Sequence, residues 1–130
     1  MKKKYFAVVL FIAAILTVSL VYALDITLGF TAVADDGNDP SSGPATRYDL
    51  RYSNTPIIET NFDNAIKLET GVPKAPGQLE MYTFNIPDAD THYYFAIKVF
   101  DEQDNSSQMS NLAEADLFRP AAVGDLKLQR

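Results

Sequence analysis

The chain has no cysteine and no tryptophan, a single histidine, and only six glycines in 130 residues. Without cysteine there is no disulfide to staple a fold, no thiolate nucleophile and no thiol for a lipid anchor. A Ser or Thr nucleophile needs a base in reach, usually His. The one candidate, His92, lies between two strand signals and reads as an exposed loop-edge residue. Basic residues are also scarce, 11 Lys and Arg against 17 Asp and Glu, for a net charge of −6. Such a surface repels nucleic acid and anionic lipid, so neither is an expected partner. Internal repeats, low-complexity tracts and any long helical period are missing too.

What is present begins with Lys2, Lys3 and Lys4, then an almost unbroken apolar run from Tyr5 to Val21, then Val21-Tyr22-Ala23. A positive start, an apolar middle and a small-residue exit make a secretory signal peptide over residues 1–23, with cleavage before Leu24. The competing reading is a retained anchor, because about 18 apolar residues just span a bilayer. Export places the protein outside the cell or in a periplasm, and membrane contact follows only if the segment is retained. The leader removes three basic residues and no acidic one, so the remainder is more acidic still.

Beyond the leader the pattern is period 2. Ile26, Leu28 and Phe30 alternate with Asp25, Thr27 and Gly29; Tyr48, Leu50 and Tyr52 alternate with Asp49 and Arg51. Ile66 and Leu68 suggest a short strand, Tyr82, Phe84 and Ile86 a fourth, and Tyr93, Phe95, Ile97 and Val99 the most apolar one. Met109–Phe118 reads as a weakly patterned last strand, with a short helix as its rival, and Thr60–Ala65 as one helical turn capped by Thr60. Turn formers separate the strands, Asp35 to Pro44 and Gly71 to Gly77 most densely. Short alternating strands at this spacing define an all-β, antiparallel β-sandwich, one domain over residues 24–118.

Ile26–Ala32, Ala45–Ser53 and Thr91–Lys98 resemble the second, third and sixth strands of fibronectin type III domains. Phe30 stands where the family has an inward aromatic, and Tyr93 stands at its tyrosine-corner position, where the phenol ties the preceding loop to the sheet. Asp101-Glu102 through Asn105-Ser106-Ser107, then Ser110-Asn111, resembles the variety found in exported bacterial proteins. The resemblance implies an immunoglobulin-like scaffold for adhesion, spacing or protein contact, with a core of Phe30, Tyr48, Tyr93, Phe95 and Ile97 and no catalytic motif. It also implies a first strand that the expected cleavage leaves out. Pro120 to Leu128, at the other end, resembles the first strand of a further domain.

Several groups then stand as candidate sites beside plainer readings. The family's topology brings Asp35, Asp36 and Asp39 to the same pole as Asp101, Glu102 and Asp104, where calcium would find hard oxygen ligands. Asp also favours turns for its own bonds to nearby backbone amides, and the spacing departs from a dedicated calcium loop. Tyr94 and Phe100, opposite Phe95, could stack on a glycan or a protein, or simply cover the sheet. Asn105-Ser106-Ser107 fits a short glycosylation pattern. Paired carboxylates for glycoside hydrolysis would need a cleft between them that a sandwich this small lacks.

In the tail, residues 119–130, Val123, Leu126 and Leu128 are apolar between Asp125 and Lys127, as a strand with an early kink would show. An open second strand at one end and a surplus strand at the other point to strand addition between copies, head to tail, with Arg119, Lys127 and Arg130 complementing the acidic pole. The plainer readings are a frayed end or the stub of another module. The expectation is therefore an exported, non-enzymatic interaction or structural module without a required cofactor, whose partners are other proteins or itself. A calcium- or glycan-binding accessory module is the alternative.

Overall fold

Alternation of large apolar residues with polar ones produces strands here, and two sheets close over the apolar faces. The structure is a computed structural model and describes residues 23–87 and 90–129. The expected leader therefore lies outside the described residues, except for Ala23. The strands are β1 (Ala23–Thr31), β2 (Arg47–Ser53), β3 (Ile66–Leu68), β4 (Leu79–Pro87), β5 (His92–Phe100) and β6 (Ala113–Asp116). One sheet is the pair β1-β4, and the other runs β3-β2-β5-β6. Every pairing is antiparallel. The fold class is the all-β sandwich that the period-2 pattern predicts.

The two sheets meet through Leu50, Tyr52, Phe84, Ile86, Tyr93 and Phe95, all buried. Each such side chain contributes roughly 1.5–3 kcal/mol by leaving water. Tyr52 sets its ring edge-on to Tyr93 at 5.7 Å and stacks on Phe95 at 6.1 Å. Phe30 and Ile97 are only partly buried; Phe30 meets Tyr48 edge-on at 5.0 Å. The Tyr93 hydroxyl donates to the Pro87 carbonyl at 3.2 Å, tying the end of β4 to the start of β5.

Register fixes two poles. Arg47 lies opposite Phe100 and His92 opposite Asp116. One pole therefore carries the loop 32–46 and the loop 101–107. The other carries the β4–β5 connection and the exit of β6.

Ala23, the last residue of the expected leader, pairs with Pro87 in β1. Three expectations need correction. The turn expected over Thr60–Ala65 is a 3₁₀ turn, Phe62–Asn64, and Thr60 does not cap it. Asn61 organises that loop instead: its Oδ1 accepts from Ile58 N at 2.8 Å and its Nδ2 donates to the Pro56 carbonyl at 3.1 Å. The last strand, expected from Met109 to Phe118, is regular only over Ala113–Asp116. Upstream, Ser107 bonds Val99 and Ser110 bonds Ile97, so three residues span what two residues of β5 span, a pair of bulges that breaks the ladder. There the hydroxyls of Ser107 and Ser110 accept from Val99 N and Ile97 N, each at 3.0 Å.

The third correction concerns the outer face of β5. Tyr94 and Phe100 are not exposed aromatics: the chain from 54 to 65 folds over that face and buries Ile57 and Phe62 against Ala96. Tyr94 packs on this second cluster and stacks beside His92 at 4.7 Å. Phe100 lies beneath the Arg47 guanidinium, 3.5 Å from its ring centre. The reason is the apolar second face of β5, which needed a cover.

Candidate functional site

Consider first the acidic pole. The two loops do converge: Asp35 and Asp101 line one cleft, and Glu102 acts on Asp35 from beside it. That contact, then desolvation, then the charges of Glu102, Asp36 and Asp101 raise the Asp35 carboxyl to about 6. Asp39 and Asp101 serve their own loops. Asp39 Oδ1 accepts from the amide and hydroxyl of Ser41 at 2.9 and 2.6 Å, and those bonds hold its carboxyl low. Asp101 accepts from the amides of Gln103 and Asn105 and from the Asn105 side chain, which lowers it likewise. Asp104 pairs with Arg47 at 2.5 Å. Among the described residues no group of three or more His, Asp or Glu is placed to hold a metal ion. Of the six acids expected as calcium ligands, Asp39 and Asp101 are held in turn bonds and Asp104 in an ion pair.

His92 is not a loop-edge residue. It opens β5, and its Nε2 lies 3.0 Å from Glu114 Oε2 on β6.

A carboxylate missed by sequence reasoning is buried instead. Glu80 is 1% exposed on the inward side of β4. Its Oε1 accepts from Lys74 N at 2.6 Å and from the Tyr48 hydroxyl at 3.3 Å; its Oε2 accepts from the Tyr82 hydroxyl at 3.2 Å. Burial, with Glu80 beside them, pushes both phenols up. Lys74 Nζ donates to the Leu79 carbonyl at 2.7 Å and lies 3.8 Å from Glu80. This network pins Lys74, in the 71–78 loop, to the start of β4. Glu80 has the inward parity of Tyr82, Phe84 and Ile86, the one signal that could have revealed it.

The other edge of that sheet is different. Among the described residues β1 pairs with β4 and with no other strand. Its inward side chains, Leu24, Ile26, Leu28 and Phe30, are all only half-buried, whereas Phe84 and Ile86 opposite them on β4 are 9% and 1% exposed. Burial falls off towards β1, beside which no other described strand is paired. A cleft of about 120 Å³ opens there, with Leu28 and Phe30 on one wall, Ser110 and Ala113 on the other, and Leu50 and Phe95 at its base. An unpaired edge beside uncovered core is a template for another strand.

The tail leaves from the opposite pole. Leu117 N donates to the Thr91 carbonyl at 2.9 Å and Arg119 N to Asp90 Oδ1 at 2.6 Å, which roots it there. Beyond, Val123, Leu126 and Leu128 are 74%, 90% and 84% exposed.

No protein-family model matches the chain, and no solved structure matches it. Three curated proteins do. Calcium-activated chloride channel regulator 2 of Homo sapiens is 34% identical over 113 residues, covering 74% of this chain and 12% of that protein. Calcium-activated chloride channel regulator 4 of Homo sapiens is 33% identical over 96 residues, covering 68% and 10%. Calcium-activated chloride channel regulator 1 of Equus caballus is 32% identical over 91 residues, covering 65% and 10%. The chain spans about a tenth of the length of the curated relatives it matches. All three are animal proteins and lend no support to a bacterial origin.

Proposed function

We propose that the protein is an extracellular, non-enzymatic β-sandwich module that engages proteins by accepting an added strand at the free edge of β1. The observation that carries the reading is the half-buried inward face of β1 beside an open cleft. Among the described residues the sandwich has two plus four strands, the form of a fibronectin type III-like domain without its first strand, so an incoming strand would complete it. Export rests on the leader pattern, and the relatives are named as regulators, a word that suits a module acting by contact.

Hydrogen exchange tests this directly. At concentrations where the chain is monomeric, the β1 amides that point away from β4 exchange nearly as fast as unstructured ones. Exchange as slow as in β5 would mean the edge is already covered within the chain, and the reading falls.

A further inference from the structure

We infer that the strand accepted by β1 is the C-terminal segment, residues 120–129, of a second copy of this chain. The inference rests on the strand-accepting reading above and names its partner.

Direction comes from the register. β1 runs towards the pole of the 32–46 and 101–107 loops, and the tail departs from the pole of His92 and Asp116, where Thr91 and Asp90 hold its root. Folded back on its own sandwich, the tail would run parallel to β1. Continued outward, it enters a second copy at the acidic pole and runs antiparallel to that copy's β1, the pairing every other strand of this fold uses. Ten residues at about 3.3 Å each reach roughly 33 Å, slightly more than the nine residues of β1 need.

The side chains fit that path. Leu126 and Leu128 share one face of an extended chain, and Asp125 and Lys127 take the other. Val123 is out of phase by one residue, and Gly124 beside it permits the bulge that would bring it to the same face. Val123 would then lie over the cleft beside Leu28, and Leu126 and Leu128 over the half-buried Ile26 and Leu24 further along β1. Arg119 is engaged at the root of the tail, where its amide bonds Asp90, and Lys127 lies far down the strand from the next copy's acidic loops, so the fit rests on the apolar side chains. The contact is heterologous and does not close on itself, so it propagates into a chain of molecules.

The test uses the protein recovered from cells expressing the full chain, beside its double variant Leu126→Asp, Leu128→Asp. Light scattering after size exclusion is read across a hundredfold range of concentration. The expected result is a mass that climbs past the dimer without plateau for the parent chain, while the variant stays monomeric. The β1 amides become protected only in the parent's larger species. A synthetic peptide of residues 119–130 then protects the same amides in the variant and shortens the parent's polymers. A parent that stays monomeric throughout, a variant that assembles equally, or a plateau at two copies each overturns the inference. If the edge is open but the peptide leaves it unprotected, this inference fails while the strand-accepting reading stands. If the edge is protected in the monomer, both fail.

Discussion

Arg51 closes on Asp49 with two bonds, Nε to Oδ1 at 2.8 Å and Nη2 to Oδ2 at 3.0 Å, and Asp49 is only 6% exposed. The same guanidinium donates to the Asp63 carbonyl at 2.7 Å, so one cation binds β2 to the loop that covers the outer face of the sheet.

That pair predicts an acid limit. The Arg51 bonds, working against desolvation, hold the Asp49 carboxyl below its ordinary value. A depressed folded-state pKa contributes stability that is present above about pH 4 and lost as pH falls through the folded value. Replacing the cation, Arg51→Met, leaves a buried charge unpaired and should cost about 3 kcal/mol near neutrality. Urea unfolding at neutral pH and at about pH 3 measures both, and the difference between parent and variant should shrink in acid.

Asp35 predicts the opposite sign. Its carboxyl, raised to about 6, holds a proton more tightly in the fold than in the open chain. That contribution favours the fold below the ordinary value of 3.8 and declines as pH rises through about 6. Asp35→Asn should therefore melt above the parent at about pH 7.5 and together with it near pH 4. A melting curve unchanged at neutral pH would show that Asp35 and Glu102 do not repel.

Glu80 is a structural anchor and should behave as one. Glu80→Ala orphans the Lys74 amide and two phenol hydroxyls, which should cost about 2–3 kcal/mol. Exchange at Lys74 should accelerate locally, before global unfolding. Tyr48→Phe removes a single weaker bond and should cost about 1 kcal/mol.

The covered outer face predicts a second core. Phe62 is 1% exposed although it lies outside the interior of the sandwich. Phe62→Ala should cost about 3–5 kcal/mol, in the same range as Phe95→Ala. A loss below 1 kcal/mol would mean that the 54–65 segment merely rests on the sheet.

The sheets were legible where the alternation was clean: 26/28/30, 48/50/52, 82/84/86 and 93/95/97 all fall in strands. Glu80 was hidden because Leu79 and Met81 carry the apolar signal in the opposite phase, and both are exposed. The outer cover was only half visible. Tyr94 and Ala96 signalled an apolar second face on β5, but the loop that meets it has no period of its own. Ser107 to Ser110 was illegible as a strand because each bulge shifts the phase that pattern reading depends on. The apolar tail was legible in the sequence, whereas the cleft between β1 and Ser110 needed three dimensions.

The two serines of those bulges carry a consequence for how this surface can change. Ser107 is exposed, yet its hydroxyl stands where a backbone carbonyl would otherwise receive Val99 N, and Ser110 does the same for Ile97 N. Alanine is too short to accept either bond, and a long polar side chain places its oxygen too far out. A complete substitution scan would thus find two positions near solvent with the intolerance of an interior, bordered by Gln108, where almost any residue serves. Exposure alone would misjudge which parts of this loop are free to vary.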